Sequence, residues 1–426
     1  MQILVENSGY GLDNLGDICM LQVSFQRLRA GFPDAEIAIV TRDSQRLQHY
    51  CEGARPVLAE RNWVWRRARG LYLRLRRDLP SVEPLIRARM PGLYDRLQRH
   101  RARHSVGESS FGRAGLMVAS GGGFIADVFR GQTWSVLERM EAASKAGAAL
   151  ALFSQGIGPL RDRVLLEKAR EVLPRAAVIG VREKLSSLPL LESLGVPRER
   201  ILITGDDAVE PAYLLRGNGA GEYIGVNLRV ARYARVGREM IGGVREPLQH
   251  VARRLKSRMI ALPISLSGDV ESASDAAAAE SLIAGPFATG ETYEEPCEPH
   301  AIIERIGRCR IVVTGSYHAA VFALAQGIPA VCLSNSEYYE AKFRGLADLF
   351  GVGVEVLSLS DGRFREQLIE KVLAAWEQAD AWRPGLLLSA AWQVRAGRTA
   401  YERLHGLVES DGYGHPHRRG YAAQSD

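Results

Sequence analysis

The 426-residue chain lacks the features that mark membrane-spanning, disulfide-linked and metal-binding proteins. Its five cysteines are scattered singly with no Cys-x-x-Cys pair, so we expect buried reduced thiols rather than disulfides or a thiolate metal site. Its apolar runs are too short to span a bilayer, which takes about 20 residues. The opening residues MQILVEN carry no basic segment and are typical of a strand, so we expect no signal peptide and a cytoplasmic protein.

Positive charge is concentrated in one segment. Arg61 to His104 contains 13 arginines, no lysine and 3 acids, a net charge of +10, whereas the whole chain carries only +6. Trp63 and Trp65 lie among these arginines. The segment is either a solvated helical insertion or a contact for an anionic membrane surface or a phosphorylated lipid-linked substrate, at the inner face of the membrane. Nucleic acid is not expected as a partner, because no recognised binding module accompanies the charge.

Hydrophobic residues (46%) and charged residues (24%) occur in the proportions of a globular protein. In the first half, short β-branched runs alternate with amphipathic helical stretches, which predicts a parallel sheet covered by helices on both faces. The predicted strands of this half are ILVEN, AEIAIVT, GLMVASG, ALALFSQG, AVIGVR and ILITG.

The same alternation restarts after a glycine-rich joint, RGNGAGE, at residues 216–222. The predicted strands of the second half are YIGVNLR, RMIALPIS, RIVVTG and PAVCLS, with VEVLSL at the edge. The pattern therefore predicts an α/β protein of two Rossmann-like, doubly wound domains that face each other across a cleft. We predict domains at residues 1–217 (with the basic insert at about 61–104) and 218–385, a closing helix at 386–410 and a disordered tail at 411–426.

Glycine-rich turns follow three strands of the first half. They are NSGYGLDNLGD (7–17), SGGGFIAD (120–127) and SQGIGPL (154–160), which contain Gly122 and Gly156. Glycine lets a backbone approach a ligand closely, and the helix that follows favours an anion. The first turn does not have the dinucleotide spacing GxGxxG. Each turn alone is consistent with simple turn chemistry, but three turns at corresponding strand ends predict a cleft that holds an anion.

Several polar residues also occur at strand ends. Arg182 directly follows an apolar strand, so it either reaches solvent or pairs with an anion. His318 lies where an apolar strand turns into an apolar helix and is either a capping or core histidine or a cleft residue. The adjacent Asp206 and Asp207 could bind a metal, but neighbouring side chains in an extended segment point apart, which favours capping or a hydroxyl contact. We expect no metal and no cofactor.

Six segments, taken in order, resemble the polysaccharide pyruvyl transferase family. The resemblance extends from residue 3 to residue 350 apart from the basic insert, and implies two Rossmann-like domains in the GT-B arrangement. It also implies transfer of a pyruvyl group from phosphoenolpyruvate to hydroxyls of a saccharide in cell-surface polysaccharide or glycolipid biosynthesis. The segments are NLGD (14–17), SGGGFIAD (120–127), SQGIGPL (154–160), VREKLSS (181–187), GDDAV (205–209) and YHAAVFALAQGIPAV (317–331), the last followed by Lys342.

The resemblance implies roles for these residues. His318 would transfer a proton or, if cationic, stabilise phosphate. Arg182 would hold the anionic groups of the donor, with help from backbone N–H groups around Gly122 and Gly156. Asp17 would accept a proton from an acceptor hydroxyl or orient it, with Asn14 beside it. From the sequence alone, Asp17 is equally consistent with a helix N-terminal carboxylate that interacts with the helix dipole.

One position departs from the family pattern, which has Arg-Leu-His before the helix where this chain has Ser316, Tyr317 and His318. Loss of the arginine removes a charge-assisted contact to the donor worth on the order of 2–3 kcal/mol. Lys342, Arg344 or Arg229 could replace it. Two alternatives to pyruvyl transfer therefore stay open: a GT-B glycosyltransferase that uses a nucleotide sugar, and a non-catalytic relative that acts as a binding partner.

Overall fold

The computed structural model describes residues 1–59, 114–219, 221–266, 274–290 and 298–410. The predicted basic insert at 61–104 and the predicted disordered tail at 411–426 lie outside these ranges. Within the described residues, no helix combines the length and the apolar character needed to cross a membrane.

The first half forms an eight-stranded parallel sheet in the order β3-β2-β1-β4-β6-β7-β8, with β5 paired to β6 beside this path. Two of its strands were not predicted, because Pro56 in β3 and the glycines in β5 are residues that seldom occur inside strands; pairing with β2 and β6 overrides that preference. The strands are Gln2–Glu6 (β1), Glu36–Thr41 (β2), Arg55–Leu58 (β3), Ala114–Ala119 (β4), Gly122–Ile125 (β5), Ala149–Ile157 (β6), Val178–Val181 (β7) and Ile201–Ile203 (β8).

The helices of the first half connect these strands. The first begins after Asn14, whose side chain accepts hydrogen bonds from the backbone N–H groups of Gly16 and Asp17. This cap satisfies two donors that a helix N-terminus leaves free. The helices are Leu15–Gly31 (α1), Ser44–Tyr50 (α2), Arg130–Lys145 (α3), Arg163–Val172 (α4), Ser187–Ser193 (α5) and Val209–Leu214 (α6).

The second half forms a five-stranded parallel sheet in the order β10-β9-β11-β12-β13, with the last strand at the edge as predicted. Its strands are Tyr223–Asn227 (β9), Met259–Ala261 (β10), Cys309–Thr314 (β11), Ala330–Ser334 (β12) and Val354–Ser358 (β13). Its helices are Ile241–Leu255 (α7), Asp275–Ile283 (α8), Pro299–Gly307 (α9), Tyr317–Ala325 (α10) and Glu337–Phe350 (α11). The first sheet ends at residue 203 and the second begins at 223, and the predicted domain boundary falls between these strands.

The end of the described chain is one 47-residue helix, Phe364–Ser410 (α12), and not two helices with the closing one at 386–410. Pro384, which lacks an N–H group, lies inside this helix just before the predicted start at 386. Contacts on both sides of that residue hold the helix together: Arg383 donates to the carbonyl of Gln326 (2.8 Å), and Leu386 is fully buried. Farther along, the ring of Tyr401 stacks on Phe153 of β6 at 3.7 Å. The helix therefore packs against both sheets.

The carboxyl ends of the two sheets face each other. Loop residues of the first half pair with loop residues of the second: the N–H of Leu15 donates to the carbonyl of Ile264 (2.9 Å), and the N–H of Leu266 donates to the carbonyl of Asp13 (2.8 Å). These hydrogen bonds bring the N-terminus of α1 against the second sheet.

Candidate functional site

A cavity of about 280 Å³ lies between the two sheets. Most of its walls come from segments that follow strand ends, namely the β1–α1 loop, the ends of β7, β9 and β11, and helix α11, and strand β5 and the start of α3 complete them. In parallel α/β sheets this edge is where ligands bind. A larger cavity of about 800 Å³ is lined by α1, α9 and α12 and does not include these strand ends. We assign the candidate site to the smaller cavity because the buried ionisable groups converge there.

Arg182 is the most deeply buried cation of this cavity, with 1% of its surface exposed. Its Nη1 lies 3.2 Å from Asp206 Oδ2, and its guanidinium carbon lies 4.2 Å from the centre of the Tyr317 ring. Its buried Nη2 has no hydrogen-bond partner among the described residues. Burying an unpaired donor of a charged group is unfavourable unless a ligand completes it. Arg182 therefore presents an unused N–H group to a cavity that can accept an anion.

Two glycines make room for this guanidinium. A Cβ on Gly156 would lie 2.7 Å from Arg182 Nε, and a Cβ on Gly123 would lie 2.8 Å from Arg182 Nη2. Gly123 lines the cavity, whereas Gly122 and Gly156, the two glycines named from the sequence, lie behind its wall. The glycine turns thus provide space for an arginine side chain at this edge of the sheet.

Asp206 lies beside Arg182 and was not among the residues that the sequence assigned to the site. Its Oδ1 accepts a hydrogen bond from the N–H of Ala208 (2.9 Å), and burial raises its pKa to about 6 although Arg182 acts in the opposite direction. Its neighbour Asp207 points away and accepts from Tyr401 Oη (2.9 Å) and Arg27 (2.6 Å). The two carboxylates therefore have different partners, and within the described residues no group of His, Cys, Asp and Glu is arranged to hold a metal.

His318 lies in the first turn of α10 and faces the N-terminus of α1. Its Nε2 is 3.8 Å from Asp206 Oδ2 and has no hydrogen-bond partner among the described residues. A Cβ on Gly16 would lie 2.0 Å from His318 Cγ, so only glycine at position 16 permits this approach. Burial and the charges of Arg182 and Lys342 lower the pKa of His318 well below 6.5, which makes the imidazole neutral near pH 7.

Lys342 of α11 lines the cavity within a wall of tyrosines. Its Nζ is 4.0 Å from the centre of the Tyr338 ring and 5.5 Å from that of Tyr339. Tyr338 in turn donates to the carbonyl of Gly123 (2.8 Å), which joins the two halves of the protein at this point. Burial and the charge of Arg182 lower the pKa of Lys342 well below its ordinary value of 10.5. An anion in the cavity would favour the charged ammonium form.

Asp17 and Asn14 both line the opposite wall. Burial raises the pKa of Asp17, while the nearby hydroxyl of Ser8 and the charges of Lys342 and Arg182 act to lower it. Asn14 uses its Oδ1 to cap α1, at 3.1 Å from the N–H of Gly16. The carboxylates on this wall are those of Asp17 and Asp13, and Asn14 positions the helix that carries Asp17.

The remaining predicted residues are divided between the cavity and the surface. Ser316 and Arg229 line the cavity. Arg344 does not: its side chain is 68% exposed and forms an ion pair with Glu340 at 2.6 Å. Of the three cations considered as replacements for an arginine at position 316, two therefore lie in the cavity.

The sequence did not single out Asp206 or the tyrosines of the cavity wall as site residues. Asp206 follows β8, and β8 is the neighbour of the strand that ends at Arg182. Knowledge of the strand order would have predicted that this carboxylate lies in the site, because side chains that follow adjacent parallel strands meet at one edge of the sheet. The tyrosines Tyr233, Tyr338 and Tyr339 carry no such signal, since aromatic residues on helices most often belong to the core.

Comparison with known proteins links this chain to a family. Residues 14–337 match the family model described as polysaccharide pyruvyl transferase. Among curated proteins, none has a significant sequence match to the chain.

Several solved structures have the same fold. A UDP-N-acetylglucosamine 2-epimerase from Listeria monocytogenes, described as putative, superposes with a TM-score of 0.57 at 12% identity, covering 96% of both chains. The UDP-GlcNAc 2-epimerase from Neisseria meningitidis, solved with UDP-GlcNAc bound, has a TM-score of 0.56 at 11% identity over 95% of this chain and 99% of its own. The calicheamicin glycosyltransferase has a TM-score of 0.51 at 13% identity over 97% and 98%. At these identities the likeness concerns the fold, and it confirms the predicted GT-B-like arrangement of two Rossmann-like units.

Proposed function

The chain belongs to the polysaccharide pyruvyl transferase family, and we propose that it transfers a pyruvyl group from phosphoenolpyruvate to hydroxyls of a saccharide acceptor in cell-surface polysaccharide or glycolipid biosynthesis. The observation that carries this proposal is the cavity at the strand ends, where the unused Nη2 of Arg182 lies with the neutral imidazole of His318 and the partly buried Lys342. A small anionic donor would complete these groups.

Arg182 and Lys342 are suited to binding phosphoenolpyruvate because this donor carries a carboxylate and a phosphate. Arg182 stays cationic at any physiological pH and forms short charge-assisted hydrogen bonds to such groups. Lys342 gains charge as the anion enters, because an opposite charge favours its protonated form. The tyrosine wall around Lys342 excludes water and so strengthens both interactions.

The reaction requires one proton transfer to carbon and two C–O bonds. The methylene carbon of the donor takes a proton while one acceptor hydroxyl attacks its second carbon; a second hydroxyl then forms a C–O bond as the C–O bond to phosphate breaks. The two hydroxyl protons end on the new methyl group and on the released phosphate, so atoms and charge balance. In our proposal the entering anion favours the protonated imidazole, so His318 carries the proton to carbon, and Asp206, whose Oδ2 lies 3.8 Å from His318 Nε2 and whose pKa is about 6, exchanges it with the imidazole.

Asp17 is proposed to accept the proton of the attacking hydroxyl. It lies on the first-half wall, opposite His318 and Lys342 of the second half. Its pKa is raised by burial, which makes its carboxylate a stronger base than an exposed aspartate. Asn14, which lines the same wall, is proposed to contact the acceptor saccharide.

The basic segment from Arg61 to His104 forms a second part of this proposal. We propose that its net charge of +10 and its interleaved tryptophans bring the enzyme to an anionic membrane surface, where lipid-linked saccharides are assembled. The support is compositional.

The donor is tested by thermal unfolding with phosphoenolpyruvate, UDP, GDP and CMP. A ligand at about 100 times its Kd should stabilise the fold by about 2.7 kcal/mol. We expect phosphoenolpyruvate alone to stabilise the wild-type protein and Arg182→Lys, which keeps the charge beside Asp206 but removes Nη2, to lose most of this effect. Arg344→Lys, at an exposed arginine outside the cavity, is the matched control and should behave as wild type.

Other outcomes identify the alternatives. Stabilisation by a nucleotide in place of phosphoenolpyruvate would show that the chain is a GT-B glycosyltransferase. Stabilisation by none of the four ligands would contradict the proposed donor and favour a non-catalytic relative that acts as a binding partner.

A further inference from the structure

We propose that Arg229, held by Asp275, is the second arginine that binds the donor, so that Arg182 and Arg229 hold its two anionic groups from opposite halves of the protein. This inference rests on the proposed phosphoenolpyruvate donor and adds a binding residue on the second sheet.

The register of the second sheet places Arg229 next to Ser316. Strands β9 and β11 are paired with Asn227 opposite Thr314, and both Arg229 and Ser316 lie two residues beyond this pair. The N–H of Gly315 donates to the carbonyl of Asn227 (3.0 Å), and a Cβ on Gly315 would lie 2.9 Å from the backbone nitrogen of Arg229. The side chains at 229 and 316 therefore leave the sheet side by side, and both line the cavity.

Arg229 is held in one orientation. Its Nη1 donates to Asp275 Oδ1 (2.9 Å) and its Nε to Tyr233 Oη (2.8 Å). Asp275 is fully buried, and its other oxygen accepts from Asn227 Nδ2 (3.0 Å) and from the backbone N–H of Ser265 (3.0 Å). A guanidinium has five N–H donors, and these contacts engage only one on Nη1 and the one on Nε. Asp275 thus acts as a positioning residue: it fixes the orientation of the Arg229 guanidinium, whose other N–H groups stay available to a ligand.

A second permanent cation suits the charge of the donor. The pKa of Lys342 lies well below its ordinary value, so beside Arg182 it supplies less than a full second positive charge to the cavity. Arg229 stays charged at any physiological pH. Beside it, the side chain of Ser316 makes no capping hydrogen bond to α10, so the first-turn N–H groups of that helix can also reach an anion.

The experiment measures phosphoenolpyruvate binding by titration calorimetry to wild type, Arg229→Gln, Arg229→Lys, and the double variant Arg229→Gln with Ser316→Arg. We expect Arg229→Gln to weaken binding by about tenfold to hundredfold. We expect the arginine at position 316 to restore at least tenfold of that loss, because it enters the cavity from the adjacent strand. Arg344→Gln, at an exposed arginine, should bind as wild type.

The outcomes separate this inference from the proposed function. If the wild type binds phosphoenolpyruvate and Arg229→Gln binds it equally well, the inference is wrong and the donor assignment stands. If the wild type does not bind it, the donor assignment fails and the inference with it. If Arg229→Gln loses binding but neither Arg229→Lys nor Ser316→Arg recovers any, Arg229 only supports Asp275, and the inference is again wrong. The unfolding temperature of each variant shows whether a lost fold is the cause.

Discussion

Burial and positive charge act together on the ionisable residues of the cavity. Arg182 and Lys342 lower the pKa of His318, and Arg182 also lowers that of Lys342, while burial raises the pKa of Asp206. The site therefore contains a neutral imidazole, a lysine whose pKa is lowered and a carboxyl group that titrates near pH 6. An entering anion reverses much of this balance, because it favours every protonated form. Donor binding and proton supply are coupled in this way.

The pH dependence of stability tests the pKa of Asp206. A carboxyl group whose pKa is raised on folding binds its proton more tightly in the folded state, so its contribution to stability falls as pH rises from its ordinary value of 3.8 to about 6. We expect the free energy of unfolding of the wild type, relative to that of Asp206→Asn, to fall by about 2 kcal/mol across this range. Urea unfolding at a series of pH values measures it.

The control for this prediction is Asp34→Asn, at an exposed carboxylate. Its stability should change with pH in parallel with the wild type. Parallel curves for Asp206→Asn as well would show that Asp206 titrates as an ordinary aspartate.

At the scale of elements, the site depends on how closely two helix N-termini approach. Helix α1 begins beside His318 of α10, and the loop before α1 is hydrogen-bonded to residues 264 and 266 of the second half. The contact is possible because residue 16 has no side chain. Helix α1 thus fixes one wall of the cavity and the position of the imidazole together.

Gly16→Ala should therefore damage the site, whereas alanine normally stabilises a helix relative to glycine. A Cβ at position 16 would lie 2.0 Å from His318 Cγ, so either the ring or the whole N-terminus of α1 must move. We expect a loss of stability of about 1–3 kcal/mol from overpacking and a loss of phosphoenolpyruvate binding. Chemical denaturation and calorimetry measure the two effects.

Gly242→Ala is the matched control, since Gly242 is also the second residue of a helix, α7, and a Cβ there meets no atom within 4 Å. It should leave stability unchanged or raise it by up to about 1 kcal/mol. Equal behaviour of the two variants would contradict the close contact between α1 and His318.

At the scale of the whole molecule, helix α12 is distinguished by its packing against both sheets, and the basic segment by its composition. Helix α12 ties the two sheets together through Tyr401 on β6 and Arg383 at Gln326. The segment from Arg61 to His104 is set apart by composition, because the rest of the chain is net negative. The excess positive charge is thus concentrated in a stretch of sequence that contains none of the residues lining the cavity.

We expect deletion of residues 61–104 to abolish binding to anionic vesicles while the cavity still binds phosphoenolpyruvate. The reason is electrostatic: each arginine near an anionic surface contributes about 1 kcal/mol, and the attraction is screened by salt. Sedimentation with phosphatidylserine-containing vesicles measures it, with phosphatidylcholine vesicles as the control for charge. Equal sedimentation of the intact and deleted proteins would overturn the membrane proposal.

Much of the fold was predictable because hydrophobic alternation is local. The strands ending at Val181 and Thr314 were recognised from their β-branched runs, and each parallel sheet places the residues that follow, Arg182 in the first and His318 in the second, at its carboxyl edge. The closing helix predicted at 386–410 is instead the second half of α12, because contacts from residues 326 and 349, far away in sequence, keep that helix continuous. Local preference there is outweighed by tertiary packing.

The α/β class, the family and the presence of Arg182 and His318 at strand ends could all be read from the order of amino acids, because each depends on residues that are close together along the chain. The folded molecule was needed to show that Asp206 belongs beside Arg182, 24 residues earlier, and that Arg229 lies next to Ser316, while Arg344 lies outside the cavity. These relations depend on strand order, register and the facing of two sheets. These contacts join residues that are far apart in sequence, and burial at the contacts fixes the orientation of the side chains and shifts their pKa values.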